Sequence, residues 1–381
     1  MKIAMITETF LPSTDGVVTR LCASIQWLQA NGHVVCVIAP DLGVNEYAGA
    51  VVCGVPAHTF LLYKDKQFSL PSRKVRKYLF DFQPDVVHVV NPAFLGIAGL
   101  YYARRLGAPL IASYHTNVPQ YADYYHVPFL KPALWWYFRT LHNRAQVNLC
   151  TSRTVQQELG DKGFRNVQLW QRGVATDTYG SHYYSEVMRE RLTQGQPGKR
   201  LLLYVGRLAP EKEIEKIREV LQTSPDYCLA IVGDGPNRAN LEHHFRNTNT
   251  VFTGFMHKQE LAEAYASADI FVFPSTTETL GLVLLEALAS GLPVVAADSG
   301  PTREQIQDGV TGVLYNPKLH GSFTHAVWRL SDEGFRKTLS QNASEVAHNL
   351  GWSQACEQLL GFYVQACGAY ASDREMYPTQ I

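Results

Sequence analysis

What the chain lacks narrows its role first. It has no net charge, since 34 Lys and Arg balance 34 Asp and Glu over 381 residues. A dedicated nucleic-acid binder carries a basic excess, so no nucleic-acid partner is expected. No two of the seven cysteines stand as CxxC. Cys36 and Cys150 sit in strand-like runs, where cysteine packs as a small hydrophobe. No disulfide framework is expected, and a reducing compartment is. No apolar run of 18 residues is free of charge, so no helix is expected to span a membrane. The opening apolar run, residues 1–7, is too short for a signal peptide and reads as a first strand. The GxGxxG of dinucleotide-binding folds is missing after that strand, where Gly16 stands alone. The aromatic-rich segments do not repeat at a fixed period.

What is present is material for two domains. The length exceeds one typical domain, and 46% hydrophobic against 18% charged residues supplies ample core. Residues 1–190 carry a small basic excess and the remainder an equal acidic one. That suits an anionic ligand or membrane surface, or solubility alone.

In chain order, strand-like runs alternate with helical ones. Residues 2–6 and 33–39 read as strands flanking a helix over 17–30 that ends at Asn31-Gly32. Gly16, at that helix start, is either a turn glycine or a point of close ligand approach. Residues 64–80 set Lys64, Lys66, Arg73, Lys74, Arg76 and Lys77 beside apolar side chains. They read as a solvated helix face or as a membrane-surface element. Residues 86–90 and 110–114 are further strands. His115 follows the second of these, where parallel sheets meet their ligands, though a lone histidine is also commonly structural. The stretch 129–142 gathers Lys131, Trp135, Trp136 and Arg139, with Arg144 just beyond. This composition suits a bilayer interface. It also suits a helix packed into the core, because four adjacent aromatics cannot share one side. Residues 180–200 are polar and read as the linker between domains.

A second strand–helix alternation starts at residue 201. One strand ends in Gly206-Arg207 with Lys212 close behind, and the next ends in Gly233. Phe255 and Met256 follow a third. Residues 270–273 form a fourth strand, then a polar turn carries Glu278, Thr279, Leu280 and Gly281. A helix from Leu282 holds Glu286 eight residues past Glu278. Backbone N–H groups at such a helix start can meet an anion. Two cations in one loop can neutralise a diphosphate, Arg as a fork and Lys as a point charge. Glu286 lies among Leu284, Leu285, Ala287 and Leu288, and a carboxylate there needs a partner.

These motifs together — Gly16, His115, Gly206-Arg207 with Lys212, and Glu278-Thr-Leu-Gly with Glu286 — resemble the retaining GT-B glycosyltransferases of family 4 over nearly the whole chain. Within it, SYHTNVPQYADYY (113–125) and LKPALWW (130–136) resemble the sulfolipid synthases, the sulfoquinovosyltransferases of cyanobacteria and plastids. The resemblance implies an α/β GT-B fold, two doubly wound Rossmann-like domains facing each other across a cleft. The expected domains are 1–185 for acceptor, 198–350 for donor nucleotide, and a helical tail 351–381 returning to the first.

The resemblance further implies transfer of sulfoquinovose from UDP-sulfoquinovose to diacylglycerol without a metal or other cofactor; no DxD stands between the strands. Arg207 and Lys212 would hold the diphosphate, with Gly16, Gly206 and Gly233 near it. Glu286 would bind ribose, and residues 254–257, with Phe255 and Met256 among them, would flank uracil. Glu278, with the amides of Thr279, Leu280, Gly281 and Leu282, would hold the sugar, and His115 would approach its C6 side. Lys131, Trp135, Trp136, Arg139 and Arg144 would meet an anionic membrane, placing a peripheral enzyme on the cytoplasmic face of a cyanobacterial or plastid-type membrane. No obligate protein partner is expected. The rival readings are a lipid hexosyltransferase using UDP-glucose or GDP-mannose, a UDP-sugar epimerase, and a silent nucleotide-sugar sensor. Two features depart from the family pattern: Val17 follows Gly16 in place of a second glycine, and Leu280 stands where Phe is usual.

Overall fold

The computed structural model describes residues 1–60 and 63–376. Side chains of 60–66 and 373–376, and with them Lys64 and Lys66, lie outside that description. The chain divides into two compact units, one of residues 1–172 with the segment from Trp352 onward, the other of residues 173–351.

The first unit carries β1 (Lys2–Thr7), β2 (Val34–Pro40), β3 (Glu46–Tyr47), β4 (Ala50–Val55), β5 (Ala57–Phe60), β6 (Tyr63–Ser69), β7 (Val86–Val90), β8 (Leu110–Ser113), β9 (Val147–Cys150) and β10 (Val167–Leu169). Eight of these form one sheet in the order β10-β9-β8-β7-β1-β2-β4-β3. It is parallel except for the β3–β4 pair, and β5 and β6 form a separate hairpin. The strands read as continuous apolar runs because helices cover both faces. Ile3 and Met5 of β1 join the core under helices Gly16–Ala30 and Trp352–Met376. Ala4 and Ile6 join the core under helices Arg73–Phe82 and Leu95–Leu106. Helix Arg73–Phe82 buries Val75 and Leu79 and turns Arg73, Lys74, Arg76 and Lys77 to solvent. The basic segment is thus part hairpin strand, part helix with a solvated face.

The second unit carries β11 (Arg200–Val205), β12 (Tyr227–Val232), β13 (Thr250–Gly254), β14 (Ile270–Phe273), β15 (Val294–Ala297) and β16 (Gly312–Tyr315). All are parallel, in the order β13-β12-β11-β14-β15-β16. The order reverses between β11 and β14. The carboxyl ends of the strands that flank such a reversal are where ligand crevices form in these sheets.

The expected boundary near residue 185 and linker to 198 are corrected here, because residues 173–197 belong to the second unit. The Ser185 amide donates to the Ser267 hydroxyl at 3.0 Å, and that hydroxyl donates back to the Ser185 carbonyl at 3.1 Å. Arg189 pairs with Asp269 at 2.8 Å, and helix Glu186–Leu192 buries Met188 and Leu192. The segment resembles a linker because its helix is two turns long and its anchors are polar.

Candidate functional site

In the second unit the chemistry gathers at the β11/β14 reversal. Past Val205 the chain turns through Gly206, at φ 152°, into Arg207. Gly233, ending β12 at φ 130°, lies so close that a Cβ on it would stand 2.1 Å from the Gly206 carbonyl oxygen. A Cβ on Gly206 would meet the Tyr204 hydroxyl at 3.0 Å. Both glycines are therefore required by the packing of two strand ends, whatever else approaches them.

Arg207 pairs with the carboxylate of Glu211, whose side chain is fully buried. The second Glu211 oxygen, Oε2, has no hydrogen-bond partner among the described residues. The Glu211 carbonyl accepts from the hydroxyls of Ser275 at 3.4 Å and Thr277 at 3.3 Å, just after β14. That backbone contact ties the two crevice loops together. Lys212 then meets Glu278 directly as an ion pair largely shielded from solvent. The buried Tyr204 hydroxyl donates to the Arg207 carbonyl at 3.3 Å. Its pKa is raised, chiefly by burial, and Lys212, Glu278, Arg207 and Glu211 all act on it electrostatically. The sequence reading singled out three of these four charges. Glu211 sits between Pro210 and Lys212 with nothing in its spacing to mark it, and only burial reveals it.

The loop after Glu278 is held from within. Thr279, Leu280 and Leu282 are buried, and the Gln305 side-chain amide donates to the Leu280 carbonyl. Gly281, at φ 76°, caps helix Leu282–Ala289, and a Cβ there would lie 3.7 Å from the Glu278 side chain. Glu286 accepts from the Tyr265 hydroxyl at 2.8 Å and from the Tyr179 hydroxyl as well. Burial raises its pKa, and the two tyrosine bonds oppose that rise. The partner that an apolar helix demanded for this carboxylate is thus a pair of phenols. Tyr179 escaped the sequence reading because its segment was assigned to the other domain. Phe255 is 59% exposed beside His257, whereas Met256 is buried. Of the stretch expected to flank a base, residues 254–257, Phe255 and His257 are exposed and Met256 is buried.

In the first unit the order reverses between β1 and β7. Glu8, just past β1, accepts from the amides of Ala93, Phe94, Leu95 and Gly96 at 2.8–3.1 Å. Burial nevertheless leaves its pKa raised. A side chain of the protein itself thus occupies the N-terminus of helix Leu95–Leu106. The helix beginning at Gly16 is also capped from within, since Asp15 Oδ1 accepts from the amides of Val17 (3.2 Å) and Val18 (3.1 Å). Gly16 is exposed beside that carboxylate. The helix mouth beside Gly16 already holds an anion, so its N–H groups are not an open phosphate cradle.

His115 is largely enclosed beyond β8. Its Nε2 bonds the Ser113 hydroxyl at 2.9 Å, and its ring stands edge-on to Trp170 at 5.8 Å. Burial and the nearby Arg20 guanidinium push its pKa well below the usual imidazole range. Helix Lys131–His142 divides its aromatics. Trp135 is half-buried, stacked on Tyr114 and edge-on to Phe164. Trp136 is 60% exposed, and Phe129, not singled out from the sequence, is 75% exposed. Lys131 pairs with Asp123, while Arg139 and Arg144 are exposed. Among the described residues no helix is long and apolar enough to cross a membrane, and no group of three acidic, histidine or cysteine side chains is placed to hold a metal.

Residues 190–346 match the family of glycosyl transferases group 1, and residues 14–178 match Glycosyltransferase Family 4. The chain is 38% identical to a GDP-mannose-dependent alpha-mannosyltransferase of Mycobacterium tuberculosis, over 95% of this chain and 96% of that one. It is 35% identical to sulfoquinovosyl transferase SQD2 of Arabidopsis thaliana, over 94% of this chain and 72% of that one. Among solved structures, Alr3699/HepE of Anabaena, in complex with UDP and glucose, superposes with a TM-score of 0.78 at 19% identity, over 95% and 99% of the two chains.

Proposed function

The chain belongs to the GT-B glycosyltransferases of group 1 and family 4, and from that premise we propose that it moves sulfoquinovose from UDP-sulfoquinovose to diacylglycerol with retention at the anomeric carbon. The observation that carries the site assignment is the convergence of Arg207, Lys212 and Glu278 from two loops at one strand-order reversal. A donor diphosphate is the ligand that such a site suits. It would draw Lys212 from Glu278 and take charge-assisted hydrogen bonds from both cations, which stabilise the departing nucleotide without a metal. Glu278, released, would accept hydroxyls of the sugar. Glu286, held by Tyr179 and Tyr265, would accept the ribose hydroxyls, and Phe255 offers a face for the base. His115 would approach the C6 substituent of the sugar. The exposed Phe129, Trp136, Arg139 and Arg144 support a peripheral enzyme resting on an anionic cytoplasmic membrane face.

A second donor has its own support. The mannosyltransferase of M. tuberculosis is the more similar of the two relatives, at 38% against 35% identity. GDP-mannose is therefore the alternative. The deciding experiment presents radiolabelled UDP-sulfoquinovose, UDP-glucose and GDP-mannose separately with diacylglycerol vesicles, and identifies the lipid product. A sulfoquinovosyl lipid with α linkage is expected. A mannosyl or glucosyl lipid transfers the assignment to that donor, and nucleotide release without a lipid product rejects diacylglycerol.

A further inference from the structure

Gln305, just past helix Gly300–Arg303, is a side-chain amide only 6% exposed. Its Nε2 donates to the Leu280 carbonyl, 25 residues away on the loop that carries Glu278. Its Oε1 is buried with no hydrogen-bond partner among the described residues. A carbonyl cannot donate, so the NH₂ end must be the one that faces Leu280. Oε1 then stays unmet, a loss that methionine or leucine at this position would avoid. A buried acceptor left in that state calls for a reason. The reason lies in the peptide unit that Nε2 holds.

The Leu280–Gly281 unit is trans and planar, so its C=O and N–H point in opposite directions. With the carbonyl held against buried Gln305, the Gly281 N–H points away from the interior. Gly281 is half-buried, and its N–H makes no hydrogen bond among the described residues. It precedes helix Leu282–Ala289 at φ 76°, and glycine turns about its own backbone at little cost. Nothing in residue 281 itself stops the unit from turning over and withdrawing that N–H. The Gln305 amide does.

We propose that Gln305 is a positioning residue of the donor site, pinning the Leu280–Gly281 peptide unit so that the Gly281 N–H is presented as a hydrogen-bond donor to the sugar nucleotide. The first N–H groups of the helix add positive partial charge beside it. The acceptor it suits is an oxygen of the diphosphate or of the sugar. This assignment rests on the reading of the loop after Glu278 as part of the donor site, and the test separates the two.

The test is calorimetric titration of the full chain with UDP-sulfoquinovose, UDP-glucose and GDP-mannose, alongside the thermal midpoint of each protein. Gln305→Met removes the pin together with the unmet acceptor. Its midpoint is expected to stay at or above that of wild type, while affinity for the sugar nucleotide falls about fivefold or more. Gln305→Glu keeps the shape, but a carboxylate cannot donate. Burial favours its protonated form, which can. Its affinity relative to wild type is therefore expected to recover as pH falls. A merely structural role would lower midpoint and affinity together, without that pH dependence. Wild-type affinity in Gln305→Met overturns the assignment, and so does a deficit in Gln305→Glu that pH does not change. Should neither variant fold, wild type decides. With glycine nitrogens labelled, and the Gly281 signal assigned by its loss in Gly281→Ala, the Gly281 amide proton is expected to move downfield when the sugar nucleotide binds. An unmoved signal overturns the assignment. If wild type takes up none of the three sugar nucleotides, the donor-site reading fails and this assignment with it. If it binds one with no dependence on Gln305, only this assignment fails.

Discussion

At the scale of single residues, two glycines that read alike in sequence have opposite standing. Gly233 has no room for a side chain and holds φ 130°. Gly16 opens a helix at the surface. Gly233→Ala is therefore expected to destabilise the second unit by on the order of 3 kcal/mol or more, measured by denaturant unfolding. Gly16→Ala is expected to change stability by no more than about 1 kcal/mol. A fall in turnover in a Gly16→Ala protein of normal stability then reports close approach of substrate. Unchanged turnover removes Gly16 from the donor site. Arg207, Lys212 and Glu278 stood out in sequence because charges cluster at the ends of apolar runs, and Glu286 because it is a carboxylate inside one. Glu211 did not, because only its burial marks it, and Tyr179 and Tyr265 did not, because each acts through Glu286, distant in the chain.

At the scale of elements, helix Lys131–His142 shows what composition leaves open. Its aromatic cluster suited a membrane or a core, and the fold uses it for two directions at once. Trp135 fills the space between Tyr114 and Phe164 with the Lys162 ammonium 5.6 Å above its ring. Trp135→Ala is expected to cost about 2–3 kcal/mol, somewhat less than a fully enclosed tryptophan. Trp136→Ala and Phe129→Ala, at exposed positions, are expected to stay within about 0.5 kcal/mol of wild type. Together those two surface changes are expected to weaken sedimentation with anionic vesicles severalfold. Unchanged sedimentation would separate this helix from the membrane.

At the scale of the whole molecule, the two units differ in what acid does to them. The first unit holds His88 with a pKa lowered to about 3, His142 lowered to about 4, and His115 lowered well below 6.5, all mainly by burial. Below pH 6.5 the unfolded chain takes up protons that these sites refuse, so their stabilisation is full above 6.5 and drains away as pH falls toward 3. Each contributes a slope of up to about 1.4 kcal/mol per pH unit. Glu8, with a raised pKa, opposes them in part. None of the described histidines of residues 173–351 is buried. Its Glu286 binds a proton more readily folded than unfolded, which favours that unit as pH drops through the range just above 4.5. Hydrogen exchange, corrected for intrinsic rates, is therefore expected to show residues 1–172 and 352–376 losing protection between pH 7 and pH 5 before residues 173–351. Simultaneous loss would contradict this.

The sequence by itself determined the two parallel α/β units, because strands buried on both faces must be apolar at every position and so stand out between amphipathic helices. It also determined the loops that carry the charges, because glycines and ionisable residues collect where those strands stop. Tertiary structure alone decided that Lys212 joins Glu278 across 66 positions, that two tyrosines hold Glu286, and that Gln305 holds the Leu280 carbonyl. Such pairings depend on strand order and on burial. Neither follows from local spacing, since any loop at a sheet's carboxyl edge can be brought beside any other.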